Sequence, residues 1–379
     1  MPAIIGDLDD VESLLSADRD GLLRSAAMAG AQVRSVAQAQ AEGVLEPLAQ
    51  VRPRAVVIVT GRSILAARAA ALVVAVLAAR ADVPLVVTPS LPGWTGPLDV
   101  VVISGQDAGD PPLSDAITRA LRRHAEVAVL APIEGPLREA VESGGRAGRD
   151  VIDLSPRLYV DPRFGYPGLV AGLLAVLTAL TQVRLSPAPP ELGGLADQLD
   201  AEAAADHPQQ DSFTNQAKLL AQRIAGRQCV WAGDSPGTTA VAAQAAACLF
   251  AVAGIPAAVA DEAGAIARLA AAPGDRAASI FYDPDFDEAP PPAGSRLLLV
   301  TTTARAWHAQ QRIGALPDAG LVTAGVVDPE SVPVVPAGPD ELFGDAPADL
   351  AGHLLITVRA GLAAAYLALL GEPGHEVGE

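Results

Sequence analysis

The chain has 379 residues and a formal net charge of −18, from 26 Lys and Arg against 44 Asp and Glu, and half of its residues are apolar. The length suggests two domains of roughly 100–200 residues each, and the apolar content fills two cores and excludes global disorder. The acidic balance excludes a nucleic-acid backbone as partner, because phosphate contacts need clustered Lys and Arg.

The first residues lack a basic n-region and turn acidic at once (Asp7, Asp9, Asp10, Glu12), unlike a signal peptide. Residues 7–42 alternate acidic and apolar positions at helical spacing, with Asp9 or Ser16 as caps, which predicts a helical N-terminal extension. Ala55–Val59 reads as a strand, followed by Thr60-Gly61-Arg62-Ser63 and an Ala/Leu/Val helix to Ala81. Val83–Val87 and Asp99–Ile103 are further strands, the latter ending at Ser104-Gly105. An amphipathic helix follows at Ser114–His124 and a fourth strand at Val127–Leu130. Short apolar strands alternating with helices imply a parallel sheet covered on both faces. The longest apolar stretch, Leu169–Leu180, is shorter than the ~20 residues a bilayer span needs and reads as a core helix. The expectation is a cytoplasmic protein with no membrane partner.

The second half repeats the first. A shift of 172 positions lays Val57-Ile58-Val59 on Cys229-Val230-Trp231, Gly61-Arg62-Ser63 on Gly233-Asp234-Ser235, and Val83-Pro84 on Ile255-Pro256. Farther on the register drifts: Val127–Leu130 is matched with Leu297–Val300, and Leu169–Leu180 with Leu354–Leu370. This is a domain duplication. Residues 1–186 form the N-terminal helices and first domain, 187–211 a Pro-rich acidic linker, and 212–379 the second domain. Ligands of such sheets bind beyond the carboxyl ends of the strands, at the loops 61–63, 104–110 and 233–239.

Three constellations there could carry chemistry. Gly233-Asp234-Ser235-Pro236-Gly237 fits the Gly-x-Ser-x-Gly nucleophile elbow, with His308 or His353 as base. The residue after that nucleophile must lend its N–H to the oxyanion, and Pro236 has none; proline suits the first turn of a helix, so a helix-capping serine is favoured over a serine hydrolase. Gly61-Arg62-Ser63 and Ser235–Thr239 are loops entering helices, suited to an anion. Arg157 and Arg163 could clamp a phosphate or balance Asp153 and Asp161. The five histidines share no metal-ligand spacing, and Asp283–Glu288 resembles a Ca²⁺ loop in charge only. Neither a metal nor a cofactor is expected. Lys218 is the sole lysine and so the one Schiff-base candidate, and Cys229 and Cys248 read as reduced, buried thiols.

These residues resemble the tandem sugar-isomerase (SIS) domain family. The nearest branch is the bifunctional phosphoglucose/phosphomannose isomerases, with their diverged actinobacterial TobH-type relatives. The resemblance is carried by Leu8-Asp-Asp10 through Leu23 to Gln32, by Asn215-Gln-Ala-Lys-Leu-Leu-Ala-Gln-Arg-Ile-Ala225, by Ile255-Pro256-Ala257 and by Ala365–Leu370. It implies an α/β fold of two SIS-type domains in tandem (flavodoxin-like, three-layer αβα, parallel sheets) after an N-terminal helical extension. It also implies a homodimer of carbohydrate metabolism and a sugar-phosphate ligand. The family reaction interconverts glucose or mannose 6-phosphate and fructose 6-phosphate through a cis-enediol, with a glutamate as base and a histidine opening the ring.

Here the sequence departs from the family. The glutamate position falls on Ala251 and the histidine position near Ala263, and Asp107 and Asp110 follow the reduced phosphate loop at Ser104-Gly105. Two carboxylates would repel a phosphate dianion. The main reading is therefore a sugar-phosphate-binding protein that has lost its acid/base pair. Gly61, Arg62, Ser63, Ser104, Arg163 and Ser235 are its candidate substrate contacts. The alternative is an active isomerase using another carboxylate, with Asp234, Asp261 and Glu262 as choices and Glu262 the first to test.

Overall fold

The computed structural model of the chain describes residues 7–145, 150–271, 294–325 and 344–370. Three helices open it, α1 (Val11–Ala17), α2 (Leu22–Ala27) and α3 (Ala29–Ala41). The first sheet holds β1 (Ala55–Val59), β2 (Leu85–Thr88), β3 (Asp99–Ile103), β4 (Glu126–Val129) and β5 (Ile152–Asp153), all parallel, in the order β2-β1-β3-β4-β5. That is the doubly wound, flavodoxin-like order. The second sheet holds β6 (Cys229–Gly233), β7 (Ala257–Val259), β8 (Arg296–Val300) and β9 (Ala319–Val322) in the equivalent order β7-β6-β8-β9, also parallel.

Both central strand pairs are apolar on both faces because both faces are covered. Val56, Ile58, Val100 and Val102 join one core, whereas Val57, Val59, Val101 and Ile103 join another beneath α5 (Pro111–Arg122) and α6 (Gly135–Gly145). The first of these cores is shared by the two halves. Its centre is the packing of α4 (Ile64–Leu77) on α10 (Pro236–Ala253), with α7 (Tyr166–Ala179) against α4 and α13 (Asp349–Leu370) against α10. Ala66, Ala69, Ala70 and Val73 form the buried stripe of α4, and Val241, Ala242, Ala245 and Leu249 that of α10, each at helical spacing. The two apolar helices thus cover each other within one chain. α10 and α13 are long and apolar enough to cross a membrane by length and composition, but 72% of the α13 window is buried inside the protein, as in a core helix.

The duplication is visible in the caps. Ser63 accepts a hydrogen bond from the Ala66 N–H at 3.1 Å, and Ser235, 172 positions on, accepts one from the Thr238 N–H at 3.3 Å. β7 likewise begins 172 positions after β2. One match needs correction: Leu297–Val300 lies in β8, which pairs with β6 as β3 pairs with β1. The counterpart of β4 is β9. The stretch 187–211, read as a linker, contains a 14-residue helix, α8 (Leu192–Ala205), packed on α3 and α13. Helices α1 and α2 also reach α13, so the N-terminal extension touches both halves.

At the end of α8, Asp206 is buried, and its Oδ1 accepts the N–H of Ala217 at 3.0 Å, while Oδ2 has no donor among the described residues. Burial pushes the Asp206 and neighbouring Glu202 carboxyls up, and Arg359, which bonds Glu202 at 2.7 Å, opposes this without reversing it. A raised native pKa favours the protonated fold, so this contribution is present at acid pH and is lost as pH rises through the native value. Asp206→Asn keeps the acceptor for Ala217 and removes the charge. It is expected to unfold at higher urea than the parent at pH 8, with the difference closing towards pH 4; a constant difference across that range would contradict the assignment.

Candidate functional site

The carboxyl edge of the first sheet carries the loops between β1 and α4 and between β3 and α5. Gly61 lies in the left-handed region (φ 56°), and a Cβ there would stand 2.0 Å from Asp110 Oδ2. Asp110 is the N-cap of α5, yet its side chain does not cap that helix. It reaches across to accept the Arg62 N–H at 2.7 Å, while its Oδ1 has no hydrogen-bond partner among the described residues and Arg62 Nε stands 4.0 Å away. The place beside the loop amide where an anion would sit therefore holds the chain's own carboxylate. Ser63 is engaged as the cap of α4, and the Arg62 side chain is largely exposed. The Ser104 hydroxyl is fully buried, with no partner among the described residues. Asp107 turns back to accept the Gly109 N–H at 2.7 Å.

The proposed arginine clamp does not form. Arg163 grips Asp161 through Nε and Nη2 at 3.0 and 2.6 Å, and the guanidinium holds the Asp161 carboxyl below its usual range. Arg157 pairs with Glu42 at 2.6 Å, not with Asp153.

Next to these loops, a cavity of about 420 Å³ opens between α3, the ends of β3–β5 and the start of α7. None of the six candidate contacts lines it, but Gly105 and Gln106, directly after Ser104, do. Gln32 and Gln106 are fixed at its wall, donating to the carbonyls of Phe164 and Pro162. Among the described lining residues only Glu134 and Arg157 carry charge, and Glu42 already neutralises Arg157. Much of the remaining wall is apolar, with Tyr159 at the mouth, 90% exposed. The cavity suits a small polyol with an apolar face, oriented by amides, hydroxyls and one carboxylate.

The matching edge of the second half is filled. Ser235 Oγ donates to Asp345 Oδ1 at 2.6 Å, lies 2.8 Å from Thr238 Oγ1 and accepts from Arg305 Nη2 at 2.9 Å. His353 Nε2 is 3.2 Å from Asp345, beyond the serine, and the His308 ring packs edge-on against Trp307. No histidine hydrogen bond to Ser235 occurs among the described residues, His353 and Ser235 instead both bonding Asp345 Oδ1, and Pro236 occupies the first turn of α10 as a helix former. The geometry is that of a capping serine in a buried polar cluster, so the hydrolase arrangement is absent. Burial pushes the Asp345 carboxyl up, but hydrogen bonds from His353, Ser235 and Gly237 outweigh it and hold the group below its ordinary value.

Glu262, in the first turn of α11 (Glu262–Ala270), is tied to Arg312, whose Nη2 also lies 3.5 Å from Asp234. Asp234 itself is buried against Arg305 and Thr301, and Asp261 caps α11 through the Gly264 N–H. None of the three lines the cavity. Ala251 is exposed in the last turn of α10, ~24 Å along the helix from Ser235 at 1.5 Å per residue, and Ala263 is exposed on α11. Burial pushes the Cys248 thiol up to about 12 and raises that of Cys229, so neither is a nucleophile. Lys218 is fully buried, with carbonyls of Pro208 and Gln210 on its ammonium. No cluster of possible metal ligands exists among the described residues, and Asp283–Glu288 and His375 lie outside them.

The residues missed in the sequence are Gln32, Glu134 and Tyr159 at the cavity and Arg305 and Asp345 in the cluster. Glu134, Arg305 and Asp345 stand just before helices, whereas Gln32 lies within α3 and Tyr159 in the irregular stretch after β5, where no spacing marks them.

No protein-family model and no curated protein matches the chain. Solved structures do. A candidate phosphosugar isomerase of Clostridium difficile 630 superposes with a TM-score of 0.58 at 12% identity, covering 92% of both chains. The C-terminal domain of glucosamine-fructose-6-phosphate aminotransferase from Francisella tularensis gives 0.57 at 12%, covering 93% of this chain and 98% of that one. A glucose-6-phosphate isomerase-like protein of Thermus thermophilus gives 0.50 at 16%, covering 96% and 93%. The fold is thus the α/β arrangement of two SIS-type domains in tandem that the residues had suggested.

Proposed function

We propose that the chain binds a sugar phosphate or a related carbohydrate derivative in the 420 Å³ cavity at the carboxyl edge of β3–β5 and does not isomerise it. The observation that carries this reading is the cavity itself. It lies beyond the carboxyl ends of β3–β5, the edge at which doubly wound sheets take ligands, beside Ser104-Gly105, to which the family's phosphate loop is reduced here, and no histidine is among its described lining residues. The proteins of like fold are described as phosphosugar isomerases or aminotransferases, which favours a sugar in the cavity. The positions matched to the family's acid and base are exposed alanines outside it. The resemblance of Asn215–Ala225 supports membership of the diverged TobH-type branch, with the chain acting as a cytoplasmic homodimer.

Glucose, mannose and fructose 6-phosphates are expected to raise the thermal unfolding midpoint saturably; a ligand at 100 times its Kd adds ~2.7 kcal/mol. Ser35→Trp, which fills the cavity from α3, should abolish the shift. A coupled assay should detect no fructose 6-phosphate from the aldoses. If turnover appears, Glu134 is the carboxylate in reach, because it lines the cavity whereas Glu262 does not. Turnover lost in Glu134→Gln would establish the isomerase alternative. Absence of any sugar-dependent shift would remove both readings.

A further inference from the structure

The buried cluster of the second half is built as an oxyanion site, and an oxyanion is already seated in it. Asp345 Oδ2 accepts the N–H of Gly237 in the first turn of the 18-residue helix α10, at 2.7 Å. Its Oδ1 accepts the Ser235 hydroxyl at 2.6 Å, with Arg305 Nη2 at 3.5 Å and His353 Nε2 at 3.2 Å. Arg305, Asp345 and His353 have side chains 4%, 1% and 1% exposed. The fit is close: a Cβ on Gly237 would lie 2.7 Å from the Asp345 carboxyl carbon and 2.8 Å from His353 Nε2. A helix N-terminus, a hydroxyl, a guanidinium and an imidazole converging on one point form the donor set that holds a phosphate or sulfate group.

Asp345 is not part of α10 or of the loops that make the cradle. It lies just before α13, 110 positions from Ser235, and it enters the cradle from outside. The other carboxylate of the cluster, Asp234, borders the cradle: it shares Arg305 Nη2 with Ser235, accepts from Thr238 at 3.2 Å and from Thr301, and is offset by Arg305 and by Arg312 at 3.5 Å. The first half shows the same device in simpler form, where the Asp110 carboxylate lies on the Arg62 N–H.

We infer that the second half carries a latent binding site for a phosphate or sulfate group, formed by Ser235, Gly237, Arg305 and His353 and kept closed by the Asp345 carboxylate. The site is independent of the cavity in the first half. Its ligand class is a small tetrahedral oxyanion, free or as an ester, able to take the place of the carboxylate on the same donors.

The test uses the full chain with inorganic phosphate as probe, read by isothermal titration and by thermal unfolding. Asp345→Ala opens the cradle and is expected to bind phosphate at least tenfold more tightly than the parent. Its unfolding midpoint should be lowered without phosphate and restored with it. Asp345→Asn keeps the side chain's volume in place and should stay closed, with no gain in phosphate binding. The double variant Ser235→Ala/Asp345→Ala should lose most of the gain. A folded Asp345→Ala that binds phosphate no better than the parent overturns the inference, as does an equal gain in Asp345→Asn. If Asp345→Ala is unfolded at 25 °C, phosphate or sulfate should restore its near-ultraviolet circular dichroism, and failure of both to do so counts equally against it.

Discussion

Arg305→Ala is expected to destabilise the protein by about 3–5 kcal/mol, the range found when one partner of a buried ion pair is removed. The guanidinium lies between two carboxylates that water does not reach, 3.1 Å from Asp234 and 3.5 Å from Asp345, and also donates to the carbonyl of Gly344 at 2.6 Å. Without it, among the described residues, Asp234 keeps only Arg312 and the Thr238 and Thr301 hydroxyls, Asp345 keeps only Ser235, Gly237 and His353, the two buried carboxylates lose the cation they share, and the Gly344 carbonyl loses a donor. Arg305→Lys retains charge but not the planar fork that reaches three acceptors at once, so it should fall between the parent and alanine. Urea unfolding followed by far-ultraviolet circular dichroism measures both. The pH dependence supplies a second reading. Asp345 titrates below its ordinary value in the fold, so its contribution is present above the unfolded pKa and is lost as pH falls through the native one. Protonating Asp345 removes one of the negative charges that Arg305 offsets, so the cost of Arg305→Ala should shrink on acidification. A cost under ~1 kcal/mol at pH 7, the level of an exposed pair, would mean that water enters the cluster and screens it.

Lys218→Met should cost ~2–4 kcal/mol, because charged hydrogen bonds contribute about 1.5–3 kcal/mol and orphaned acceptors add to the loss. The ammonium donates to the carbonyls of Pro208 and Gln210 at 2.8 and 2.7 Å and to Asp9 at 3.2 Å, and it lies 6.0 Å from the centroid of the Tyr366 ring. One side chain thereby joins the N-terminal segment, the turn after α8 and the last helix. Methionine fills the volume of the stem but supplies no donor. The 206–215 turn should become susceptible to limited proteolysis before the sheets do, and unchanged cleavage together with an unchanged urea midpoint would refute the role.

The parts of the fold that were readable in the sequence are those where a local pattern has a single physical cause. Strands β1 and β3 are continuous apolar runs because helices cover both faces, and Ser63 and Ser235 recur because a helix leaving a strand needs a cap. The match of Leu297–Val300 to the fourth strand failed for a reason of length. The chain between β7 and β8 is longer than that between β2 and β3, so a constant shift no longer finds the equivalent strand. The site was less legible because its contacts have no spacing rule. Asp345 is 110 positions from Ser235 and Arg157 is 115 from Glu42, and each of these pairs exists only once the sheets are formed. Asp110 was noticed as a negative charge near the phosphate loop, but the sequence could not show it lying across that loop instead of capping its own helix.

The burial of Lys218 reaches beyond stability. As the sole lysine, with no exposed surface, it leaves the folded chain without an accessible side-chain amine. Acetylation, isopeptide tagging and amine-directed cross-linking can touch that position only after the α8–α9 turn has opened (α9, Gln216–Ile224), so any such mark on Lys218 would report unfolded molecules and not native ones.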